Sequence, residues 1–318
     1  MRESSAASPA APEEVTLRPL NENDLDAVVA LDARSTGLSR RPYFERRRAS
    51  ALRVPGQHLQ LAAIRGDTLV GWVLARIAGG EFGRPATVVV LEALGVEPAA
   101  QRSGIARRIL RRLEELAVAR QASAIVTQVD WRNQSMLRFL DASGFTLAKR
   151  HVLARGVGRM DERHDDDLEH GQIVIRALRA TDRDALVRID AENTGTPRPH
   201  YFDRKLDEAL HESAIAVSLV GESDGFPVAF AMARVDLGDF GRLGSVASLD
   251  TIGVSPRFAL HGYGAALLRQ MVDNLAALRV DSLETEVARD AFGLLGFLYR
   301  AGFDPSPRMA FERRLTTR

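Results

Sequence analysis

Residues able to bind or move charge gather in one short stretch, "LEALGVEPAAQRSGIARRIL", positions 91–110. An apolar run ends at Val96, Pro98 follows, and the turn Gln101-Arg102-Ser103-Gly104-Ile105-Ala106 opens an arginine-rich helix. A tight turn at a helix N-terminus offers N–H groups that have no partner inside the helix, together with the positive end of its dipole. A phosphate pair suits such an arc, each charge being favoured by about 0.3–1 kcal/mol from the dipole alone. Gly104 carries no side chain to keep an anion away, and Ala106 takes little space. From the glycine alone, an ordinary β–α connection fits as well. Arg102 and Arg107 lie close enough to the turn to draw phosphates, whereas Arg111 and Arg112 read as a solvated helix face. A worn copy, "LDTIGVSPRFALHGYGAALL", recurs at 249–268; it keeps Gly262, Tyr263 and Gly264 but has Ala259 where the first copy has Gln101.

Two carboxylates stand inside the apolar strand runs that lead into these turns, Glu92 and its counterpart Asp250. Each is either a strand-edge acid satisfied by hydrogen bonds or a group held ready to take a proton. Tyr43 and Tyr201 occupy equivalent places in a repeated "TGxxRxxYF". They are candidate general acids or substrate contacts, and core packing accounts for them as well.

The elements that must position these groups come in two sets. Arg18 and Arg176, Asp32 and Asp190, Tyr43-Phe44 and Tyr201-Phe202, Gly95-Val96 and Gly253-Val254, and Gly144-Phe145 and Gly302-Phe303 all stand 158 residues apart. A constant offset over this length means a duplicated domain with no net insertion. Within the first copy the pattern predicts strand 15–20, a helix with Leu25, Val28, Val29 and Leu31 inward, and a short helix near 43–52. Strands at 58–65, 69–78 and 86–96 follow. Next come a helix with Ile105, Ile109, Leu113 and Leu116 on one face, strand 123–130, helix 133–142 and a closing strand 146–154. The class is α+β, or mixed α/β, with helices packed on a central sheet. Residues 1–14 read as a flexible tail, 15–155 as the first domain, 156–172 as a charged linker and 173–318 as the second domain. His164, His170 and the aspartates between the copies fit no metal-ligand spacing, so no metal is expected.

With 318 residues the chain has room for two domains, and its 45% hydrophobic and 27% charged fractions are those of a globular protein. A balance of 43 basic against 42 acidic residues argues against whole-surface attraction to nucleic acid or membrane. Only Lys149 and Lys205 are lysines, and cysteine is absent, which excludes disulfides and thiolate chemistry. No apolar run approaches the roughly 18 residues of a membrane span, and no signal peptide is evident. A cytoplasmic location is expected.

Gln101, Gly104 and Ala106 match the Q/R-x-x-G-x-G/A motif of the GNAT superfamily of acyl-CoA-dependent N-acyltransferases, which the sequence resembles. Asn133 followed by the Gly-Phe of "ASGF" at 142–145 matches a second signature, and the resemblance covers both copies. It implies two tandem GNAT-like domains, each a mostly antiparallel sheet flanked by helices, with acetyl-CoA or another acyl-CoA as co-substrate. It implies that the amides of 101–106, Ile105 included, hold the pyrophosphate, that Leu94, Gly95 and Val96 pair with the pantetheine arm, and that Asn133 contacts the cofactor. The acceptor would be a small-molecule or peptide amine, and the chain a monomer with an internal pseudo-dimer, or a homodimer. Glu92 stands where some relatives carry an acid near the substrate amine. The glutamate that others use on the next strand is matched by Gln128 in the first copy and Glu286 in the second. The resemblance departs at the family's leaving-group tyrosine, replaced here by Leu140 and Leu298. Since Asn133 becomes Ala291, the first copy is the better cofactor site. A catalytic lobe joined to a supporting one, and an acyl-CoA-binding module without turnover, both remain open.

Overall fold

The computed structural model describes residues 14–83, 86–158, 173–213, 215–236, 240 and 244–315. The expected tail and linker fall almost wholly outside the described residues. The first copy runs β1 (Val15–Pro19), α1 (Leu25–Thr36), α2 (Arg41–Arg53), β2 (His58–Arg65), β3 (Thr68–Ala78), β4 (Val88–Val96), α3 (Ile105–Ala119), β5 (Ala124–Asp130), α4 (Gln134–Ala142), β6 (Thr146–Leu147) and β7 (Arg150–Gly156). The second repeats this order as β8 (Val174–Ala177), α5 (Arg183–Thr194), α6 (Pro199–Asp207), β9 (Leu219–Ser223), β10 (Phe226–Asp236), β11 (Val246–Val254), α7 (Tyr263–Ala277), β12 (Ser282–Ala288), α8 (Phe292–Arg300), β13 (Asp304–Pro305) and β14 (Arg308–Arg314).

Local chemistry accounts for the element ends. Asn21 accepts from the Asn23 N–H and Asp24 from the Asn21 N–H, which closes the turn before α1. Gly37, at φ 78°, ends α1 by donating to the Ala33 carbonyl. On α3, Ile105, Ile109, Leu110, Leu113 and Ala117 are buried on one face of the sheet, with α4 alongside. Burying each larger side chain is worth about 1.5–3 kcal/mol. Helices α1 and α2 cover the opposite face through Val28, Val29, Leu31, Tyr43 and Phe44, packed on Trp72 and Leu74.

Among the described residues two seven-stranded sheets result, in the orders β1-β2-β3-β4-β5-β14-β6 and β13-β7-β12-β11-β10-β9-β8. Both are antiparallel except at β4–β5 and β11–β12. The β4–β5 ladder comprises only Val89↔Ile125 and Val90↔Val126 before the strands part. In β4 the register against β3 jumps from Ala75↔Leu91 to Leu74↔Ala93, so Glu92 is the extra residue of a β-bulge. Asp250 is the extra residue of the matching bulge in β11.

The expectation of one closing strand at 146–154, wholly within the first domain, is corrected. Thr146–Leu147 stays with the first sheet, while Arg150–Gly156 pairs with β12 of the second, from Arg150↔Ala288 to Gly156↔Ser282. In return β14 pairs with β5, from Arg308↔Asp130 to Arg314↔Ala124. The copies therefore exchange their last long strands, and Phe311 sits in the first lobe's core. Equivalent strands can fill equivalent slots, so the local pattern of side chains does not choose between sheets.

Candidate functional site

The turn after β4 is built as an open arc. Gln101 donates from Nε2 to the Val96 carbonyl at 3.3 Å, and Ser103 from Oγ to the Ala100 carbonyl at 2.6 Å. Arg102 and Gly104 adopt φ 65° and 87°. The first helical bond of α3 runs from the Arg108 N–H to the Gly104 carbonyl, so the N–H groups just before it have no acceptor within the helix. A Cβ placed on Gly104 would meet nothing within 4 Å. Glycine is needed there for its left-handed backbone, and space opens above it. At Gly95 the constraint is crowding, because a Cβ would lie 2.6 Å from Trp72 Nε1.

The same arc in the second lobe is lined with aromatic rings. Gly262 keeps φ 76°, but Phe258 stacks on Tyr263 with ring centroids 5.9 Å apart, and the His261 ring lies 5.9 Å from Tyr263. Phe297 packs against Gly264, where an added Cβ would come within 3.3 Å of its ring. Leu260, in place of Arg102, is fully exposed.

Asn133 sits at the start of α4, beyond the point where β4 and β5 diverge. Its Oδ1 accepts from the Met136 N–H at 3.1 Å and from Ser135 Oγ at 3.0 Å. It therefore caps the helix, a role Ala291 cannot fill on α8.

The structure gives the strand acids a different setting from the one expected. Glu92 is 1% exposed, 2.8 Å from Arg76 Nε and 3.4 Å from Arg47 NH2. Asp250 is buried 3.0 Å from Lys205 Nζ and 3.2 Å from Arg234 Nε. Lys205 also meets Glu208 at 2.6 Å and Glu81 at 3.2 Å, and Glu81 lies on the loop between β3 and β4 of the other lobe. Arg47–Glu92–Arg76 and Lys205–Asp250–Arg234 are thus equivalent triads, with Glu81 tying the lobes together. Burial alone would raise the Glu81 carboxyl, but Lys205 and Arg204 beside it hold it at about 2. Burial would lower Lys205, yet Asp250, Glu208 and Glu81 raise it above the usual lysine range. Carboxylates sealed among cations and out of reach of solvent are not placed to meet a substrate amine. The expected catalytic bases Glu92 and Asp250 are corrected to members of a buried ionic cluster.

Tyr43 and Tyr201 are likewise core residues. The Tyr43 hydroxyl is buried, with Arg40 and Arg47 over its ring at 5.3 and 5.5 Å. Tyr201 lies beneath Gly80 of the other lobe, and burial, with Glu81 and Asp250 adding to it, pushes its phenol well above the ordinary range. Both hydroxyls are buried, which corrects the expectation of Tyr43 as a general acid towards the alternative of core packing. Leu140, at the place of the family tyrosine, is fully buried.

Glu286 differs from these acids. It is partly exposed, and its Oε2 accepts from Gln128 Nε2 of the first lobe at 2.8 Å. Arg150 holds its other oxygen at 2.5 Å, and Arg308 donates to the Gln128 carbonyl at 2.9 Å. The two residues expected at equivalent sites of separate lobes are therefore in contact. Sequence reasoning missed Lys205 and Arg150. For Lys205 a signal existed, since it is one of two lysines in a chain that otherwise uses arginine. A cavity of about 250 Å³ between α2 and β2, lined by Phe44, His58 and Leu74, touches none of the expected site residues. Among the described residues no His/Cys/Asp/Glu cluster could hold a metal, and no helix is long and apolar enough to cross a membrane.

The acetyltransferase (GNAT) family model matches residues 25–145 and 183–303. No match is found among curated proteins. Among solved structures, a tandem GNAT protein from the clavulanic acid biosynthesis pathway superposes with a TM-score of 0.64 at 16% identity, covering 95% of this chain and 99% of its own. A GCN5-related N-acetyltransferase from Sphaerobacter thermophilus gives 0.59 at 17%, covering 95% and 96%. The GCN5-related glucosamine N-acetyltransferase region of a fungal multi-domain GH3 β-N-acetylglucosaminidase gives 0.65 at 14% identity; 97% of this chain is covered, but only 39% of that one. At such identities the likeness establishes the fold.

Proposed function

The chain belongs to the GNAT family of acetyltransferases, and from that premise we propose that its first lobe transfers an acyl group from acetyl-CoA, or another acyl-CoA, to a primary amine. The observation that carries this reading is the arc at 101–106, open above Gly104 where the second lobe's arc is lined with aromatic rings. The residues fit the cofactor. The amides opening α3 would take the pyrophosphate, aided by Arg102 and Arg107, and the edge of β4 from Leu94 to Val96, freed by its divergence from β5, would take the pantetheine arm. Bound there, the cofactor supplies a thioester carbonyl as electrophile.

An acceptor amine of pKa near 10 must lose a proton at neutral pH, at a cost of about 4 kcal/mol. Glu286 is our candidate for holding the ammonium and accepting its proton, directly or through water, at the junction with Gln128. Arg150 already holds one oxygen of that carboxylate at 2.5 Å, so an incoming ammonium would share it with a guanidinium. A second reading, an acyl-CoA-binding module without turnover, is favoured by Leu140 in place of a phenol and by the burial of Glu92 and Tyr43.

Thiol release from acetyl-CoA with a panel of primary amines separates the two. Turnover with at least one amine is expected. Glu286→Gln should slow it by about 10²–10⁴ while leaving coenzyme A affinity unchanged, and the loss should shrink at high pH where free amine is abundant. An unchanged rate would return proton removal to water. Tight coenzyme A binding without thiol release from any amine would favour the second reading.

A further inference from the structure

The cavity of about 250 Å³ between α2 and β2 lies away from every group the acyl-transfer reading uses. It sits at the start of β2, whereas the arc at 101–106 follows the end of β4. Strands β2 and β4 run the same way, so the two places are at opposite ends of the sheet. The inner wall of the cavity is apolar, formed by Val28, Phe44 and Leu74, each 3% exposed. Arg48 of α2 and His58 and Gln60 of β2 also line it. Two acids border it at the turn before α1. Asp24 is engaged by Arg18 at 2.6 and 2.8 Å and by the Asn21 N–H at 2.8 Å. Glu22 is largely exposed and reaches Arg48 only at 4.0 Å, and Arg48 makes no hydrogen bond among the described residues.

The second lobe has the same frame and fills these positions. Leu186, Met232 and Leu206 replace Val28, Leu74 and Arg48, and all three are buried in the cluster around Phe202, the counterpart of Phe44. Ala216 and Ser218 replace His58 and Gln60. An unfilled space forfeits the packing contacts of its walls. The first lobe therefore gives up stability at a place where the second lobe's side chains would restore it, and it keeps three polar side chains there that the second lobe lacks.

We propose that this cavity is a binding site, specific to the first lobe, for a small carboxylate with an apolar ring or branched tail. The tail lies against Val28, Phe44 and Leu74, and the carboxylate meets Arg48, with His58 and Gln60 as further hydrogen-bonding groups of the wall. A guanidinium matches a carboxylate in geometry as well as charge, and Arg48 has donors to give because Asp24 is already taken by Arg18. Sites for drug-sized ligands run to roughly 300–1,000 Å³, so this one limits its ligand to about a single ring with a short arm. The proposal is independent of the cofactor reading, since it uses no group of the arc or of the Glu286 junction.

The test is calorimetry on the full chain with phenylacetate, phenylacetamide and acetate. One variant, Val28→Leu combined with Leu74→Met, installs the second lobe's side chains and fills the space. The other, Arg48→Gln, removes the charge and leaves the space. Phenylacetate should bind the natural chain, and bind each variant about tenfold or more weakly. Phenylacetamide should bind the natural chain about tenfold more weakly than phenylacetate and be indifferent to Arg48→Gln, and acetate, with no tail to bury, should be the weakest of the three. The thermal midpoint of the filled variant should be unchanged or raised, which shows that it folds; should it fail to fold, Arg48→Gln decides. No binding of phenylacetate to the natural chain, or equal binding to the natural chain and both variants, would overturn the site. Equal affinities for phenylacetate and phenylacetamide would overturn its assignment to a carboxylate.

Discussion

In the first lobe the turn before α3 is polar, arginine-flanked and open above Gly104; in the second, Phe258, His261 and Tyr263 crowd the same turn and Phe297 closes on Gly264. Both turns keep a left-handed glycine at the helix start, φ 87° and 76°. The backbone device therefore survives where its surroundings have changed from open and polar to packed with rings. A glycine motif reports the shape of a turn, and the neighbouring side chains report what the turn is for. The buried triads behave in the opposite way. Arg47–Glu92–Arg76 and Lys205–Asp250–Arg234 keep their charges in both lobes, because each uncompensated charge in that setting would cost several kcal/mol.

The largest way to break this comparison is to remove one lobe. A fragment ending at residue 160 loses β14, and with it the partner of β5 and the core residue Phe311. It should aggregate or self-associate through the bared edge and show little activity, as read by size-exclusion chromatography and thiol release. A stable, fully active monomer would make the exchanged strand dispensable.

The next effect separates the two turns. Gly104→Glu puts bulk and negative charge at the open arc and strains a positive φ; it should weaken coenzyme A binding by about 100-fold or more in calorimetry, given anion–dipole and charge-assisted contacts of this kind. Gly262→Glu should leave coenzyme A affinity within about twofold, though it will cost some stability. Equal losses from both would mean that the second turn also binds.

The triads should respond as structure rather than chemistry. Glu92→Gln leaves Arg47 and Arg76 facing a neutral group and should cost about 3–5 kcal/mol in chemical denaturation, with Asp250→Asn similar. The folded fraction of Glu92→Gln should turn over at close to the natural rate. A large fall in kcat with stability intact would restore Glu92 as a base.

The smallest expected effect is a graded loss of thermal stability with acid. Glu81 is held at about 2 in the folded chain, against about 4.3 for a free glutamate. Its contribution is fully present above pH of about 5 and is lost as pH falls towards 2. Lys205 is raised above its usual value, so its contribution is present at neutral pH and is lost only as strong alkali deprotonates the folded state. Replacing Glu81 with Gln should flatten the acid limb of the thermal midpoint; an unchanged limb would place acid sensitivity elsewhere.

The sequence by itself determined the duplication, the order of elements, and the turn that marks the first lobe. Strand 58–65 falls where alternation placed it, and Ile105, Ile109 and Leu113 are buried as their spacing requires. These are local matters, settled by side-chain period and turn chemistry within a few residues. Only the tertiary structure decided that β7 and β14 change places, that Glu92 and Asp250 are sealed among cations, and that Glu286 meets Gln128. The physical reason is common to all three. A strand's alternation says which face it buries but not which sheet takes it, and an acid in an apolar run looks alike whether a solvent molecule or an arginine from another element arrives to meet it.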